Sequence, residues 1–494
     1  ETTSYDIQFN SLNLDASNEQ ILYASDAQAD DYFGNGVKIS GNYAIIGSQY
    51  EDASASNAGA AYIFHKSGRT WTQQAKLVSS DMATNDYFGH RVDIEGDYAI
   101  VGAYNKNSNT GAAYIFKRSG TSWTQQSKLT ASNAGSADEY GRAVGISGDY
   151  AFVGARREDT GGTDRGSVYI YVRSGTTWTQ QAQIQASDAQ DSDSFGWALS
   201  VDGDYAIVGA YLEDTGGSNA GSAYIFYRSG TTWSQQAKIQ ASDKQADDRF
   251  GVSVDIKGEY AIVGADSEDT GGTDAGAAYI FKRTGTTWSQ QSKLTASDAQ
   301  ADDKFGGYEQ CVAITSDYAV VGANQEDAGG SNAGAAYVFS RSGSTWTEVK
   351  KLTASDTSTN DKFGMSTAID GNTILIGAYN ESTHGTNAGA AYIYTSQQVT
   401  NYYITDAGKY SVDATIAGLK YKTNEVEVTG SITPVKSFPT TAQKLYPSDG
   451  GTVSDSDSYG YVGLSGNGLV MVVVGKGDDD TTADSGGFIV YEKI

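Results

Sequence analysis

Residues 250–294 read FGVSVDIKGEYAIVGADSEDTGGTDAGAAYIFKRTGTTWSQQSKL. Residues 252–256 alternate between apolar and polar side chains and stop at a Gly-Glu pair, which predicts a strand followed by a tight hairpin turn. Residues 260–264 are continuously apolar, as expected of a strand that is buried on both faces. After a polar loop, residues 277–281 and 288–294 predict two more strands, the last one half-exposed. The segment therefore predicts a four-stranded antiparallel sheet.

The same segment recurs along the 494-residue chain with a period of about 55 residues. An aromatic-Gly pair marks each copy, and the interval before the last copy is longer than the others. The eight pairs are Phe33-Gly34, Phe88-Gly89, Tyr140-Gly141, Phe195-Gly196, Phe250-Gly251, Phe305-Gly306, Phe363-Gly364 and Tyr459-Gly460.

Repeats of four short strands, without any helical pattern, predict an all-β protein and favour a β-propeller of four-stranded antiparallel blades, because each small sheet can bury its faces only against its neighbours. Eight repeats favour eight blades. The predicted domains are 1–395 (blades one to seven with an N-terminal closing strand), 396–440 (an insert), and 441–494 (the last outer strand and the final blade). The alternative is a seven-bladed ring, closed by the same N-terminal strand, with a C-terminal appendage.

Composition and charge exclude several classes of function. The chain has 34 Lys plus Arg against 60 Asp plus Glu, a net charge of -26, so we expect no nucleic acid as a partner. No apolar run approaches the roughly 20 residues that span a bilayer, so direct membrane insertion is not expected. The three His do not recur with the repeat or adjoin a nucleophile motif, and we expect no enzymatic activity.

The repeat resembles a known family. The aromatic-Gly pair is followed about 13 residues later by Gly-Ala, as at Gly264-Ala265, and then by Gly-Ala-x-Tyr before an aromatic residue, as in residues 276–281. In these features the chain resembles the FG-GAP repeat propellers, an architecture also found in the head of integrin α subunits. The resemblance implies extracellular recognition.

Two features depart from that family. The Pro of its Gly-Ala-Pro motif is missing, and its calcium loop between the first two strands is replaced by tight pairs such as Gly258-Glu259. A two-residue turn cannot supply the six to eight oxygens that calcium takes. The calcium sites of the family are therefore not expected here.

The insert 396–440 has a pattern of its own. Asp406-Ala407-Gly408-Lys409-Tyr410 precedes a predicted strand, and a hairpin with alternating Val follows. This is similar to the tyrosine-corner half of an immunoglobulin-like domain. The insert is therefore interpreted as a partial immunoglobulin-like hairpin.

Acidic residues are concentrated in the loops. An Asp three residues before each repeat glycine predicts a structural role, in which the carboxylate accepts hydrogen bonds from loop N–H groups. The segment Asp298-Ala-Gln-Ala-Asp302-Asp303 has the oxygen spacing of a calcium loop without its glycine, so these Asp residues are candidate metal ligands. Calcium stays open as a cofactor, and no other cofactor is indicated. The structural Asp residues are Asp31, Asp86, Asp138, Asp193, Asp248, Asp303, Asp361 and Asp457.

The loops also vary most between repeats, and a rigid scaffold with variable loops on one face is typical of recognition proteins. Arg156, Arg157, Tyr211 and Tyr379 are aromatic or basic exceptions among acidic neighbours, and we predict that they contact the ligand. The expected function is binding of a protein partner at a cell or virion surface, outside the cell. The alternatives are a lectin that binds glycans between blades, and a structural subunit of a filament or virion appendage within a larger assembly.

Overall fold

The computed structural model describes residues 19–395, except 53–54, 309 and 328, together with short strands on either side. The chain forms two compact units, Leu14–Thr395 and the combination of Glu1–Asn13 with Ser396–Ile494. The strands outside the larger unit are Tyr5–Ile7, Tyr402–Asp406, Lys409–Ser411, Glu427–Val428, Ser458–Tyr461, Val470–Lys476 and Gly486–Glu492.

The unit Leu14–Thr395 is a β-propeller of seven four-stranded antiparallel blades. In each blade the inner strand is followed in space by the second, third and outer strands. The inner strands of successive blades contact each other, and the inner strand of blade 7 contacts that of blade 1. The ring therefore closes with seven blades.

The strand bounds repeat regularly around the ring. The inner strands are Phe33–Ser40, Val92–Glu95, Val144–Ser147, Leu199–Asp202, Ser253–Lys257, Val312–Ile314 and Phe363–Asp370. The second strands are Tyr43–Ser48, Tyr98–Ala103, Tyr150–Ala155, Tyr205–Ala210, Tyr260–Ala265, Tyr318–Ala323 and Thr373–Ala378. The third strands are Ala60–Ser67, Ala112–Ser119, Ser167–Ser174, Ser222–Ser229, Ala277–Thr284, Ala335–Ser342 and Ala390–Thr395. The outer strands of blades 1 to 6 are Thr70–Leu77, Ser122–Leu129, Thr177–Ile184, Thr232–Ile239, Thr287–Leu294 and Thr345–Leu352. A single turn, Lys106–Asn109, lies in a loop of blade 2, and its Asn107 and Ser108 have a left-handed backbone.

The outer strand of blade 7 comes from the other end of the propeller unit. Glu19–Leu22 pairs antiparallel with Ala390–Thr395, from Glu19 opposite Tyr394 to Leu22 opposite Ala391. The side chain of Leu22 is buried in the core that blades 7 and 1 share. A non-covalent strand pairing therefore closes the ring.

The prediction of eight blades is wrong, and the seven-blade alternative is correct. The expected eighth blade has its own strands in the smaller unit, where Glu427–Val428, Gly486–Glu492, Val470–Lys476 and Ser458–Tyr461 form a sheet in that order. This sheet already has four strands, so it does not need the N-terminal strand to complete it. In another sheet of that unit, Tyr402–Asp406 pairs with Tyr5–Ile7 on one side and with Lys409–Ser411 on the other. Most of the predicted immunoglobulin-like hairpin, 396–440, lies outside the described residues.

Each interface between blades is built from the repeated aromatic and glycine residues. The ring of Phe250 meets the ring of Tyr279 edge to face, with 5.5 Å between centroids, and the equivalent pair recurs in every blade. A Cβ atom on Gly264 would lie 1.9 Å from the carbonyl oxygen of Gly306 in the next blade. The Gly-Ala motif therefore has glycine because two backbones touch at that point.

Removal of residues 1–26 is expected to lower the free energy of unfolding of the propeller by about 3 kcal/mol or more, because the closing strand and its buried Leu22 are lost. Denaturant unfolding of the full and truncated chains measures this difference. A synthetic peptide of residues 14–26 should restore part of the loss. Identical unfolding midpoints would contradict closure by this strand.

Candidate functional site

The blades present two different ends to solvent. At one end, which we call the loop face, long loops join each outer strand to the next blade and each second strand to the third. At the other end, the turn face, tight turns join the first to the second strand and the third to the outer strand. The variable residues singled out from the sequence are in the loop-face segments.

The repeated Asp residues of the loop face lie inside the loops. Each carboxylate accepts a hydrogen bond from the backbone N–H three residues earlier, at 2.6–2.7 Å, and each side chain is buried. The geometry is that of a loop cap. The seven residues are Asp31, Asp86, Asp138, Asp193, Asp248, Asp303 and Asp361, and Asp457 lies outside the described residues.

A second acidic set ties neighbouring blades together. In blade 5, Lys293 Nζ lies 2.7 Å from Asp243 Oδ2 and 2.8 Å from Glu268 Oε1. Asp243 comes from the loop after blade 4, whereas Glu268 is buried in blade 5 itself. Much of the acid on the loop face is thus neutralised within the protein. We call this arrangement, a lysine ammonium held between an Asp and a Glu, the ammonium clasp. It is also formed by Lys76 with Asp26 and Glu51, Lys238 with Asp188 and Glu213, and Lys351 with Asp298 and Glu326.

Blade 3 has a version of this ammonium clasp that lacks both the aspartate and the lysine. Asn133 and Gln183 stand at the positions of the aspartate and the lysine, and the Asn133 amide donates to Glu158 Oε1 at 2.8 Å. Tyr169 donates to the other amide atom of Asn133, Oδ1, at 2.7 Å. The acid and the base are absent together, so the net charge of the clasp is unchanged.

Replacement of Lys293 by Met should destabilise the propeller by about 1–3 kcal/mol, because Glu268 and Asp243 then lose their shared counter-charge. The pair Lys293→Gln and Asp243→Asn copies blade 3, and it should recover part of this loss. Thermal unfolding of the variants measures both effects. Lys282→Met is the control, since Lys282 has no carboxylate partner among the described residues. Equal losses for the two Met variants would show that the clasp contributes nothing.

The candidate metal ligands do not converge. Asp298 accepts hydrogen bonds from Tyr337 at 2.7 Å and from Lys351 at 2.6 Å. Asp303 caps the N–H of Gln300 at 2.7 Å, while Asp302 is exposed. Across the described ranges, no group of three His, Cys, Asp or Glu is arranged to hold a metal ion. The donor set of a calcium site is therefore not assembled at Asp298, Asp302 and Asp303.

The two acidic sets respond to pH in opposite directions. Burial raises the pKa of four capping carboxylates to about 6, so their contribution to stability is present at low pH and is lost as pH rises through about 6. These are Asp31, Asp193, Asp248 and Asp361. Although burial opposes the charge, hydrogen bonds from Lys and Tyr lower the pKa of the clasp carboxylates, whose contribution is lost as pH falls below about 4. These are Asp26, Asp188, Asp243 and Asp298. Asp81, which binds Lys128 and Tyr114 in blade 2, has a lowered pKa for the same reason.

We therefore expect the melting temperature to be higher at about pH 5 than at pH 7, and to fall again below about pH 4. Calorimetry across this range measures the profile. Asp248→Asn keeps an acceptor for the N–H of Gln245 but cannot titrate, and it should flatten the rise between pH 7 and pH 5. A profile with its maximum at pH 7 or above would contradict the assignment.

Aromatic rings follow one another along the loop face from blade 7 to blade 4. Tyr379 and Tyr32 have their centroids 5.4 Å apart, and the next rings follow at 5.1, 4.9 and 5.6 Å. Arg142 then bridges two rings, with its Cζ 4.8 Å from Tyr104 and 4.6 Å from Trp197. All these side chains are half-buried. We call this series the aromatic track, in the order Tyr379, Tyr32, Tyr50, Tyr87, Tyr104, Arg142, Trp197 and Tyr211.

The four residues predicted to contact a ligand all belong to this region. Tyr211 packs on Trp197 at 4.5 Å, and the Arg156 guanidinium lies 4.7 Å from the same ring. Arg156 also binds Glu139 through two hydrogen bonds of 2.6 and 2.9 Å. Arg157 reaches the same carboxylate at 3.3 Å, with 43% of its side chain exposed. Tyr379 lies at the other end of the track, so the structure brings three of the four together.

The remaining track residues were not predicted. Tyr32 and Tyr87 directly precede an aromatic-Gly pair, and Arg142 and Trp197 directly follow one. Aligning the repeats on that pair shows that these two positions vary, whereas the pair itself does not. In blades 5 and 6 the corresponding positions include Arg249 and Lys304. Position-by-position comparison of the repeats would have found them.

Polar side chains cross the axis of the ring. Lys38 Nζ of blade 1 lies 3.3 Å from Asp255 Oδ1 of blade 5, and Gln310 Nε2 donates to the carbonyl of Val92 in blade 2 at 3.1 Å. Burial raises the pKa of the nearby Asp93 to about 6. Side chains from opposite blades therefore meet at the centre of the ring, whereas the aromatic track lies on the loop face.

The sequence pattern of the FG-GAP repeat matches the chain in seven segments, which cover more than half of its length. They are residues 16–64, 71–116, 123–171, 178–226, 233–281, 288–339 and 346–394. The chain belongs to the FG-GAP repeat family. Each FG-GAP segment begins in or just before the outer strand of one blade and ends in the third strand of the next. Comparison with curated proteins gives no match.

The turn face of this FG-GAP propeller carries a second repeated contact. Arg228 lies 4.3 Å from the ring of Tyr150 in the preceding blade and also binds Asp204. A shallow pocket between blades 3 and 4 is lined by Arg228, Tyr150 and Arg173. The ring of Tyr150 is thus covered by a guanidinium from its own protein. The equivalent pairs are Arg118 with Tyr43, Arg173 with Tyr98, Arg283 with Tyr205, and Arg341 with Tyr260.

Proposed function

We propose that this FG-GAP propeller is a non-enzymatic recognition protein of a cell or particle surface, and that it binds a protein partner through the aromatic track of its loop face. The track is the observation that carries the proposal. Seven half-buried aromatic rings with arginine among them lie along one face of a rigid ring. FG-GAP repeats are typical of extracellular proteins that bind other proteins or ligands.

The composition of the track supports a protein partner. Tyr, Trp and Arg are the residues most enriched at the energetic centres of protein interfaces, because they bury a large area and keep a polar group at its edge. The rings of Trp197 and Tyr211 are held by contact with each other and with Arg156. Less conformational entropy is therefore lost when a partner covers them.

Charge also favours this region of the loop face. In a chain of net charge -26, three guanidinium groups surround the single carboxylate of Glu139, at 2.6 Å for Arg156, 3.3 Å for Arg157 and 3.9 Å for Arg142. A positive group in an acidic surface orients a complementary partner. Nucleic acid is disfavoured by the overall charge. No helix in the described part of the chain is long and apolar enough to span a membrane.

The histidines support a non-enzymatic role. His65 packs on Tyr43 at 4.7 Å, His90 packs on Tyr104 at 4.7 Å, and His384 packs on Tyr23 at 4.1 Å between ring centroids. His90 Nδ1 also lies 2.7 Å from Gln49 Oε1. Each ring thus has a packing role in a different part of the propeller.

A glycan is the second candidate, since the exposed edges and faces of Tyr and Trp rings also bind sugars. The pocket between blades 3 and 4 supports it poorly, because Arg228 covers the ring of Tyr150 there. A lectin function would thus use the same aromatic track. A filament subunit would instead associate with copies of itself, and sedimentation over a range of concentrations detects that behaviour.

We expect that replacing Arg156, Arg157, Tyr211 and Tyr379 together by Ala leaves the propeller folded and reduces capture of its partner at least tenfold. Immobilised wild type and variant are incubated with the same extracellular protein mixture, and the bound proteins are quantified by mass spectrometry. A glycan array of both forms tests the lectin alternative.

The matched control is Arg69→Ala with Tyr227→Ala, which removes one exposed Arg and one exposed Tyr outside the track. The control should bind like the wild type. If the fourfold variant still binds and binding is lost instead on changing Arg118, Arg173 or Arg228, the turn face is the binding face and the proposal is wrong.

A further inference from the structure

The repeats provide an internal comparison for one charged site. In blades 1, 4, 5 and 6 the ammonium of an outer-strand lysine contacts an Asp and a Glu at 2.6–2.9 Å. The same ammonium lies 5.5–5.6 Å from the ring of a third-strand tyrosine. That tyrosine is opposite the lysine in the sheet register, as Lys293 is opposite Tyr279. The site is therefore built from two carboxylates and one aromatic ring around a primary ammonium.

Blade 7 keeps the carboxylates and the ring but not the lysine. Asp356 and Glu381 stand at the two acidic positions, and Tyr392 donates to Asp356 Oδ1 at 2.7 Å, as Tyr337 does to Asp298 in blade 6. The residue opposite Tyr392 in the closing strand is Ile21. An apolar side chain thus occupies the position of the clasp lysine.

Glu381 has lost its counter-charge while staying buried. Only 4% of Glu381 is exposed. Its Oε1 accepts from the N–H of Thr383 at 2.6 Å, and its Oε2 has no hydrogen-bond partner among the described residues. A buried carboxylate that has no counter-charge and one unpaired oxygen is costly. In blade 3, by contrast, the Asp was lost together with the lysine.

The carboxylates of blade 7 both lie near one point, the hydroxyl of Tyr23. Both Glu381 and Asp356 act on the hydroxyl of Tyr23, whose pKa is raised to about 12 by burial and by their charges. Tyr23 Oη lies 3.5 Å from Asp356 Oδ2. Asp356 itself is exposed, so the point is open to solvent on its side.

We propose that blade 7 binds a primary ammonium group from a ligand, held by Asp356 and Glu381 at the place where other blades hold their own lysine. The ligand class is an alkylamine, either a free amine or the side chain of a lysine in a peptide. The same residue types bind an alkylammonium in the other blades, which favours this ligand over a metal ion. The site is independent of the aromatic track, and it lies where the closing strand completes the ring.

The probe is dansylcadaverine, which carries one primary amine on a five-carbon chain, and its binding is followed by fluorescence anisotropy. Binding to the wild-type chain should saturate, and butylammonium chloride should compete with it. Ile21→Lys supplies the missing ammonium from within, so this variant should bind the probe at least tenfold more weakly. Glu381→Gln removes the buried charge and should weaken binding similarly. Ile21→Met is the control, and it should bind like the wild type.

Thermal unfolding gives a second measurement that does not use the dye. Butylammonium should raise the melting temperature of the wild type but not that of Ile21→Lys, at equal ionic strength. Tetramethylammonium, which has no N–H donor, should raise neither. Equal effects of the two cations, binding that survives in Ile21→Lys, or a larger shift with calcium than with butylammonium would each overturn the proposal. A lysine-containing peptide that binds more tightly than butylammonium would identify the source as a protein side chain.

Discussion

Contact between backbones at the inner ends of the blades constrains the whole propeller. At every junction, a Cβ on the glycine of the second strand would fall 1.9–2.3 Å from the carbonyl oxygen of the aromatic-Gly glycine in the next blade. The inner edges of neighbouring sheets are therefore as close as two chains can be, while further out large aromatic rings fill the core that two blades share, as Phe250, Tyr279 and Phe281 do between blades 4 and 5. This wedge shape recurs at all seven junctions, including the one between Gly377 and Gly34, and the ring closes.

The internal pairing of charge explains how such an acidic loop face can be stable and variable at once. The caps and the ammonium clasps hold the loop backbones through side chains that point inward, such as Asp248 and Glu268. The positions that flank the aromatic-Gly pair lie outside the caps and the ammonium clasps and differ from blade to blade. Replacements there change the surface chemistry without disturbing the loops. Tyr32, Tyr87, Arg142 and Trp197 of the aromatic track stand at these positions.

The sequence was sufficient for the strands and the family but not for the number of blades. The alternation of apolar and polar residues and the spacing of glycines are local features of the sequence. The copy that begins at Tyr459-Gly460 has them as clearly as the copy that begins at Phe250-Gly251. Whether a sheet joins the ring depends on contacts with distant residues, such as those of the closing strand with Ala391. Comparison of the repeats marks the variable positions of the track, but not that their rings meet, because Tyr32 and Tyr87 adopt a left-handed backbone, both with φ 55°, that sets the direction of their rings. Arg156 and Tyr211 stood out in the sequence as basic and aromatic residues among acidic neighbours. The sequence did not reveal that both of them contact Trp197.

The offset between repeat and blade has an evolutionary consequence. Because each FG-GAP segment starts near the outer strand of one blade and ends in the next, a duplicated segment carries both sides of a blade junction with it. Recombination that adds or removes one unit would leave every remaining junction intact, and the N-terminal strand would still find a third strand to pair with. The number of blades can thus change by one whole blade at a time.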